Sequence, residues 1–151
     1  MDTNILVYAT VPEAPRHQEA AEAIERLDAA GLELWISRQV LREFLATLTR
    51  PQTFGEPPPL AHVIAAVQSF ESQFHVADED ASVTQQLTAL IQQVTVGGKQ
   101  IHDANIVATM QVHGVTHLLT ANPTDFRRFA HLITVVPLEA AATLLGGSEK
   151  P

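Results

Sequence analysis

The sequence predicts an α/β protein in which a parallel sheet of about five strands lies between helices. Three observations support this fold class. Short apolar segments alternate with helical patterns along most of the chain, as they do in folds with a parallel sheet. Hydrophobic residues make up 46% of the composition and charged residues 17%, which is typical of a folded chain. One core suffices for 151 residues, so we expect a single domain over residues 1–145 and a flexible tail over residues 146–151.

The first third of the chain is predicted to contain one strand and two helices after an apolar opening. Residues 5–8 (ILVY) are expected to pack a short element into the core. Residues 15–30 have the pattern of an exposed amphipathic helix that ends at Gly31. ELWIS, at residues 33–37, is short and apolar enough for a buried strand. A helix follows over residues 37–51, with Ser37 as its N-cap and Pro51 as its stop.

The middle of the chain is predicted to be mostly helical. QTFGEPPP, at residues 52–59, is expected to be a stiff loop because it contains three prolines. Helical patterns cover residues 60–73 and 80–95, and FHVA between them is a candidate strand. After a pair of glycines, IHDANIVATMQVHG has the pattern of a helix that ends at Gly114.

The last part of the chain continues the alternation of strands and helices. It contains, in order, a strand in THLLTAN, a short helix in PTDFRRFA, a strand in ITVVPL and an apolar helix in LEAAATLL.

The opening and the composition exclude several classes of protein. Asp2 is the first ionisable side chain, whereas an export signal places positive charge before its apolar run, and this run is far shorter than the roughly 20 residues that cross a bilayer. We therefore expect neither an export signal nor a membrane anchor. The absence of cysteine excludes disulfides, thiol catalysis and thiolate metal sites, and a reducing cytoplasm is the expected compartment.

The charge and the histidines also limit the possible functions. A formal net charge of −8 argues against nonspecific binding to nucleic acid, unless a local basic surface or bridging metal ions contribute. His113 and His117 have the spacing of a zinc-binding helix, but Gly114 lies between them and the Glu of H-E-x-x-H is missing. We do not expect a dedicated zinc site.

Two carboxylates are predicted to lie at apolar helix faces. Asp103 shares a helical stripe with apolar residues at i+3, i+4 and i+7, where an unpaired charge is costly. It is either a metal ligand or a first-turn Asp that free backbone N–H groups stabilise. Glu43 lies just beyond the edge of an apolar stripe, so it faces either a cleft or the solvent.

A third candidate follows the predicted strand HLLT. Asp125 lies where ligands bind in open parallel sheets, beyond the carboxyl end of a strand, although it could be an ordinary turn residue. Thr120 and Asn122 precede it at spacings that allow hydrogen bonds to a carboxylate or a water in the same place.

Together with Asp2, these acids come from four separate segments of the chain. Clustered carboxylates raise one another's pKa unless a cation joins them. Their hard oxygen atoms select Mg²⁺ or Mn²⁺. The sequence therefore predicts a metal pocket formed by Asp2, Glu43, Asp103 and Asp125.

The order of these motifs resembles the PIN domain, and most closely the VapC-type ribonuclease toxins of bacterial toxin–antitoxin pairs. The motifs are DTNILVYA, the Glu of LREFL, IHDANIVATM and LLTANPTDFRRF, which extend from Asp2 to about Phe129. The resemblance implies a parallel sheet between helices, an acidic metal pocket at the strand ends and endoribonuclease activity. It also implies a small cognate antitoxin of the VapB type, whose Arg or Lys could enter the acidic pocket.

The resemblance also assigns roles to individual residues. Asp2, Glu43 and Asp103 match the first three acids of the family, and the fourth falls within residues 122–125. Many relatives have an acid at the position of Asn122, and relatives usually carry a short apolar strand before the first Asp, where this sequence has Met1. Asn4 matches the asparagine of the motif and is expected to orient Asp2.

The predicted reaction is hydrolysis of an RNA phosphodiester with one or two Mg²⁺ or Mn²⁺ ions, which lower the pKa of a bound water, so that no protein nucleophile is required. Basic side chains at five positions could contact flanking phosphates, although each could instead be solvated surface: Arg38, Arg42, Lys99, Arg127 and Arg128.

Two other classes of protein are alternatives to the nuclease. Aspartate-nucleophile phosphatases carry DxDx[TV], whereas Asp2-Thr3-Asn4 lacks the second acid. A PIN-like module that binds protein or RNA with little or no nuclease activity is the remaining alternative. From the apolar surplus and from the resemblance we also expect a homodimer, with helices between residues 37 and 74 at the contact.

Overall fold

Four short strands pair two by two in the computed structural model, which describes residues 1–51 and 55–148. Strand β1 (Trp35–Ser37) pairs in parallel with β2 (His75–Ala77), and β3 (His117–Thr120) pairs in parallel with β4 (Thr134–Pro137). The predicted α/β class with parallel strands is confirmed. A continuous sheet of about five strands is not observed, because the described strands form two separate pairs.

Met1 and Asp2 lie between the two strand pairs. The Met1 amine donates a hydrogen bond to the carbonyl oxygen of Trp35 (2.6 Å), and the N–H of Asp2 donates one to the carbonyl oxygen of Leu119 (3.0 Å). The chain becomes helical at Thr3, and β1 and β3 are not paired with each other. A cleft of about 490 Å³, lined by residues of both strands, remains beside them.

Helices surround the strand pairs. The described residues contain six α-helices: α1 (Thr3–Thr10), α2 (His17–Ala29), α3 (Arg38–Leu48), α4 (Leu60–Gln73), α5 (Ala81–Gln93) and α6 (Gln100–Val112). Two 3₁₀ helices, Pro123–Phe129 and Leu138–Ser148, follow β3 and β4. The predicted helices are confirmed to within a few residues, but the last one is a 3₁₀ helix instead of an α-helix.

Two predicted segments fall partly outside the described residues. Residues 52–54 of the predicted loop and residues 149–151 of the predicted tail lie outside them, whereas Gly146 to Ser148 belong to the last 3₁₀ helix. The division into a domain over residues 1–145 and a tail stays a prediction.

Local signals explain where several helices begin and end. The hydroxyl of Ser37 accepts a hydrogen bond from the N–H of Val40 (3.2 Å), which makes Ser37 the predicted N-cap of α3. Asp80 caps α5 in the same way through the N–H of Ser82. Gly31 and Gly114 follow α2 and α6 with φ of 74° and 69°, a conformation that glycine adopts without a Cβ clash.

The hydrophobic core anchors the segments that carry the predicted acids. Ile5 and Leu6 of α1 are fully buried, so the apolar opening enters the core as a helix. Phe44, next to Glu43, is also fully buried. Phe126 and Phe129 bury the inner side of the first 3₁₀ helix, which leaves Asp125 exposed on a fixed support.

Within residues 1–51 and 55–148, no helix is both long enough and apolar enough to cross a bilayer.

Candidate active site

All four predicted acids line one cleft of about 540 Å³. Asp2 precedes α1, Glu43 lies in α3, Asp103 lies in the first turn of α6 and Asp125 lies in the first 3₁₀ helix. These segments are far apart in the sequence. The tertiary structure therefore brings together the acids that the sequence predicts to form one pocket.

Asp2 is buried and oriented by three hydrogen bonds. Its Oδ1 accepts from the N–H of Thr3, and its Oδ2 accepts from Nδ2 of Asn4 and from the hydroxyl of Thr120, each at 2.7 Å. Burial raises the pKa of Asp2, the hydrogen bonds from Thr120 and Thr3 oppose this rise, and the charge of Glu43 adds to it. The donors hold the carboxylate in one orientation at the inner end of the cleft.

The three predicted supporting residues connect Asp2 to the end of β3. Oδ1 of Asn4 accepts a hydrogen bond from the N–H of Ala121 (3.0 Å), so Asn4 bridges α1 and the segment after β3. Thr120 is fully buried and contacts Asp2 rather than the exposed Asp125, and its hydroxyl oxygen also accepts from the N–H of Asn122 (3.0 Å). The side chain of Asn122 is exposed and lines the cleft.

The charges of the other three acids affect the pKa of Asp103. It is half-buried, and its pKa is raised to about 6, chiefly by burial and then by the charges of Asp125, Asp2 and Glu43. Arg128 partly opposes this rise. The four carboxylates are thus close enough to repel one another, which a bound cation would relieve.

Two residues that orient Glu43 were missed by the sequence analysis. The hydroxyl of Thr3 donates to Oε2 of Glu43, and Nε2 of Gln39 donates to Oε1, both at 2.7 Å. The signal for Gln39 was its position four residues before Glu43, since such residues share one side of a helix. The contact of Thr3 with Glu43 joins residues 40 positions apart and has no comparable signal in the sequence.

Two of the five predicted basic residues are engaged in ion pairs. Arg38 pairs with Asp78 (3.0 Å) and with Glu71, and Arg42 pairs with Glu79 (2.8 Å). These partners lie at the end of α4 and in the segment before α5. A phosphate group would have to compete with these carboxylates for both arginines.

The other basic residues have different surroundings. Arg128 donates hydrogen bonds to Oε1 of Gln100 (2.7 Å) and to the carbonyl oxygen of Thr95 (3.2 Å), whereas Lys99 and Arg127 are exposed. Arg50, which lies just beyond the C-terminal end of α3, lines the acidic cleft and was not predicted.

The four acids have the oxygen donors that a hard divalent cation prefers, but their side chains are not grouped closely enough to bind one as they stand. Oxygen donors and mutual repulsion suit Mg²⁺ or Mn²⁺. No three His, Asp or Glu side chains in the described part of the chain are grouped closely enough to hold one ion as they stand. Ligation would therefore require small side-chain movements or water molecules as additional ligands, which Mg²⁺ commonly keeps.

The fold and the acidic cleft place this chain among α/β proteins with a polar site beyond the ends of parallel strands. The family model of the PIN domain matches residues 1–132, which include all four acids. The chain therefore belongs to the PIN domain family.

Within that family its relatives are VapC ribonucleases. The chain is 30% identical over 134 residues to ribonuclease VapC24 and 27% identical over 130 residues to ribonuclease VapC48, both of Mycobacterium tuberculosis; each alignment covers 85% of this chain and 89% of the relative. A toxin–antitoxin complex from Klebsiella pneumoniae contains a chain of the same fold, with a TM-score of 0.61, 24% identity and coverage of 91% of this chain and 94% of that one. The predicted resemblance is confirmed.

Proposed function

We propose that this protein is a metal-dependent endoribonuclease and the toxin component of a toxin–antitoxin pair. The observation that carries the proposal is the convergence of four acids, from four segments, on one cleft of a PIN domain chain. The names of its relatives support ribonuclease activity. The reaction is hydrolysis of a phosphodiester bond.

Mg²⁺ or Mn²⁺ is the cofactor that the cleft suits best. Asp2, Glu43 and Asp103 would hold it, with Asp125 at the exposed edge. When bound, such a cation supplies Lewis-acid chemistry, which makes water more acidic and neutralises charge on the phosphate. The chain itself supplies the orientation of Asp2 and Glu43 and the raised pKa of Asp103, all of which precede binding of the cation.

The RNA must be held despite a net charge of −8. Arg50 lines the cleft, and Arg128 acts electrostatically on Asp103, so both lie where they could contact phosphates next to the cleaved bond. Arg127 and Lys99 add exposed positive charge. Arg38 and Arg42 would take part only if RNA displaced their carboxylate partners.

The partner that suits this cleft is a small antitoxin of the VapB type. An acidic cleft without a metal can bind an Arg or Lys side chain from a second protein through charge-assisted hydrogen bonds. Occupation of the cleft would exclude the metal and the RNA together. Co-purification with a small protein that suppresses cleavage tests this part of the proposal, and added salt is expected to slow the association.

Cleavage of RNA with and without metal tests the enzymatic part. The wild-type protein should cut cellular RNA with Mg²⁺ or Mn²⁺ and stop in EDTA. Asp103→Asn keeps the volume of the side chain but removes its charge, so it should reduce cleavage at least 100-fold. Asp28→Asn is the matched control, because Asp28 is exposed on α2 and does not line the cleft.

The outcome separates the nuclease from a binding module. Full activity of Asp103→Asn, or cleavage that continues in EDTA, would contradict the proposed metal site. RNA binding without any metal-dependent cut would favour the PIN-like binding module. Sequencing the 5′ ends of cellular RNA after induction would then identify the RNA that is cut.

A further inference from the structure

The side-chain amide of Gln39 is buried between α3 and α6, and each of its polar atoms is hydrogen-bonded. Gln39 is 5% exposed. Its Nε2 donates to Oε1 of Glu43 (2.7 Å) and to the carbonyl oxygen of His102 (2.9 Å). Its Oε1 accepts from Nδ2 of Asn105 (2.6 Å). One amide thus connects an acid of α3 to the turn of α6 that carries Asp103.

The partners of Gln39 allow a single orientation of its amide. Glu43 Oε1 and the carbonyl oxygen of His102 accept these hydrogen bonds, so the NH₂ group must face them. The NH₂ group of Asn105 donates to the remaining oxygen. A flipped amide would place oxygen against oxygen at Glu43 and at His102, which fixes the assignment of the two amide atoms.

The side chain of Glu43 borders two hollows of the surface. One is the acidic cleft, and the other is a hollow of about 390 Å³ that Gln39, Glu43 and His102 help to line. A half-buried Glu has several rotamers available, so without fixed partners it could turn away from the cleft. Thr3 holds one carboxylate oxygen and Gln39 holds the other.

We propose that Gln39 is a positioning residue that holds Glu43 towards the acidic cleft and in register with Asp103. The proposal rests on the proposed function, in which Glu43 is a metal ligand. Gln39 does not itself contact metal or RNA in this assignment. Its contribution is to fix the carboxylate before the metal binds.

Calorimetric titration with Mn²⁺ tests the role without relying on activity. Gln39→Met keeps most of the volume and removes the donor, so it should weaken Mn²⁺ binding about 10-fold, as the loss of outer partners of metal ligands does. Gln86→Met is the matched control, because Gln86 donates to Gln111 (2.9 Å) and also joins α6 to a neighbouring helix, but away from the acids. The control should keep wild-type Mn²⁺ affinity. With RNA, Gln39→Met should lower kcat and leave KM within about twofold.

A double-mutant cycle separates positioning from a general effect on the fold. If Gln39 acts through Glu43, Gln39→Met should weaken Mn²⁺ binding in the wild-type background and add little to Glu43→Gln. Equal losses in both backgrounds would overturn the proposal. Wild-type affinity in Gln39→Met together with reduced affinity in Glu43→Gln would also overturn it, and would leave the proposed function intact.

A second variant keeps the test decisive if Gln39→Met does not fold. Asn105→Ala removes the donor to Oε1 of Gln39 and should weaken Mn²⁺ binding about fivefold. Unchanged affinity in that variant would count against the assignment. Failure of the wild-type protein to bind Mn²⁺ would instead refute the proposed function itself.

Discussion

The carboxyl group of Asp103 is half-buried near three other acids, and its protonation therefore depends on the whole cleft. Its pKa of about 6 lies above the usual value of 3.8. Proton binding thus favours the folded state between these two pH values, whereas metal binding requires the deprotonated form. The same side chain would link pH to stability and to the proposed binding of a metal with opposite signs.

We expect the metal-free protein to lose stability as the pH rises from about 4 to about 6. In this window the folded state binds more protons than the unfolded state, so the free energy of unfolding decreases with pH. Urea unfolding in EDTA at several pH values measures the effect, and Asp103→Asn should flatten this part of the curve. Mn²⁺ affinity should weaken as the pH falls through 6. A pH-independent Mn²⁺ affinity between pH 5 and 7 would contradict this assignment.

At the scale of the element, α3 is the helix on which the site depends most. Ser37 is both the last residue of β1 and the N-cap of α3. Gln39 is the second residue of the helix, and Glu43 follows one turn later. Fraying of the first turn would release Gln39 before any other part of the network. The capping hydroxyl therefore supports the site as well as the helix.

Removal of two helix caps should separate stability from metal binding. Ser37→Ala removes the N-cap hydrogen bond of α3 and should cost about 1 kcal/mol of stability. Asp80→Ala removes the corresponding bond of α5 and should also lower stability. Only Ser37→Ala should also weaken Mn²⁺ binding, because α5 carries none of the four acids. Denaturant unfolding and calorimetric titration measure the two effects. Equal losses of Mn²⁺ affinity in both variants would show that the effect is not specific to α3.

At the scale of the whole molecule, the gap between β1 and β3 exposes unpaired strand edges to a cleft of about 490 Å³. The Met1 amine lies at one end of this gap, and burial lowers its pKa to about 6, against the partly compensating charge of Asp2.

The homodimer is a further expectation at this scale. Leu60 and Ile64 lie one turn apart on α4 and are 61% and 46% exposed, within the predicted contact region of residues 37–74. Replacing both by Ser should convert a dimer to a monomer in light scattering at high micromolar concentration. Ile91→Ser on α5 is the control, because Ile91 is also exposed but lies outside that region. A monomeric wild-type protein would contradict the expectation.

The sequence by itself determined the order of the helices and strands after α1 and the four acids that share the cleft. These features depend on local signals: the apolar period of α3 and α6, the cap at Ser37, and carboxylates at positions where an isolated charge is costly. The family motifs added the expectation that Asp2 belongs with the other three. The local signals can be read within one or two helical turns, whereas the family motifs extend from Asp2 to about Phe129.

Only the tertiary structure decided how distant segments meet. The contact of Thr3 with Glu43, the burial of Gln39 against α6 and the ion pairs of Arg38 join residues roughly 30 to 65 positions apart. The separation of the strands into two pairs was decided in the same way, by where Met1 and Asp2 lie between Trp35 and Leu119. Such contacts depend on the packing of whole elements against one another, because a polar side chain satisfies its hydrogen bonds with whichever groups the folded chain brings near it.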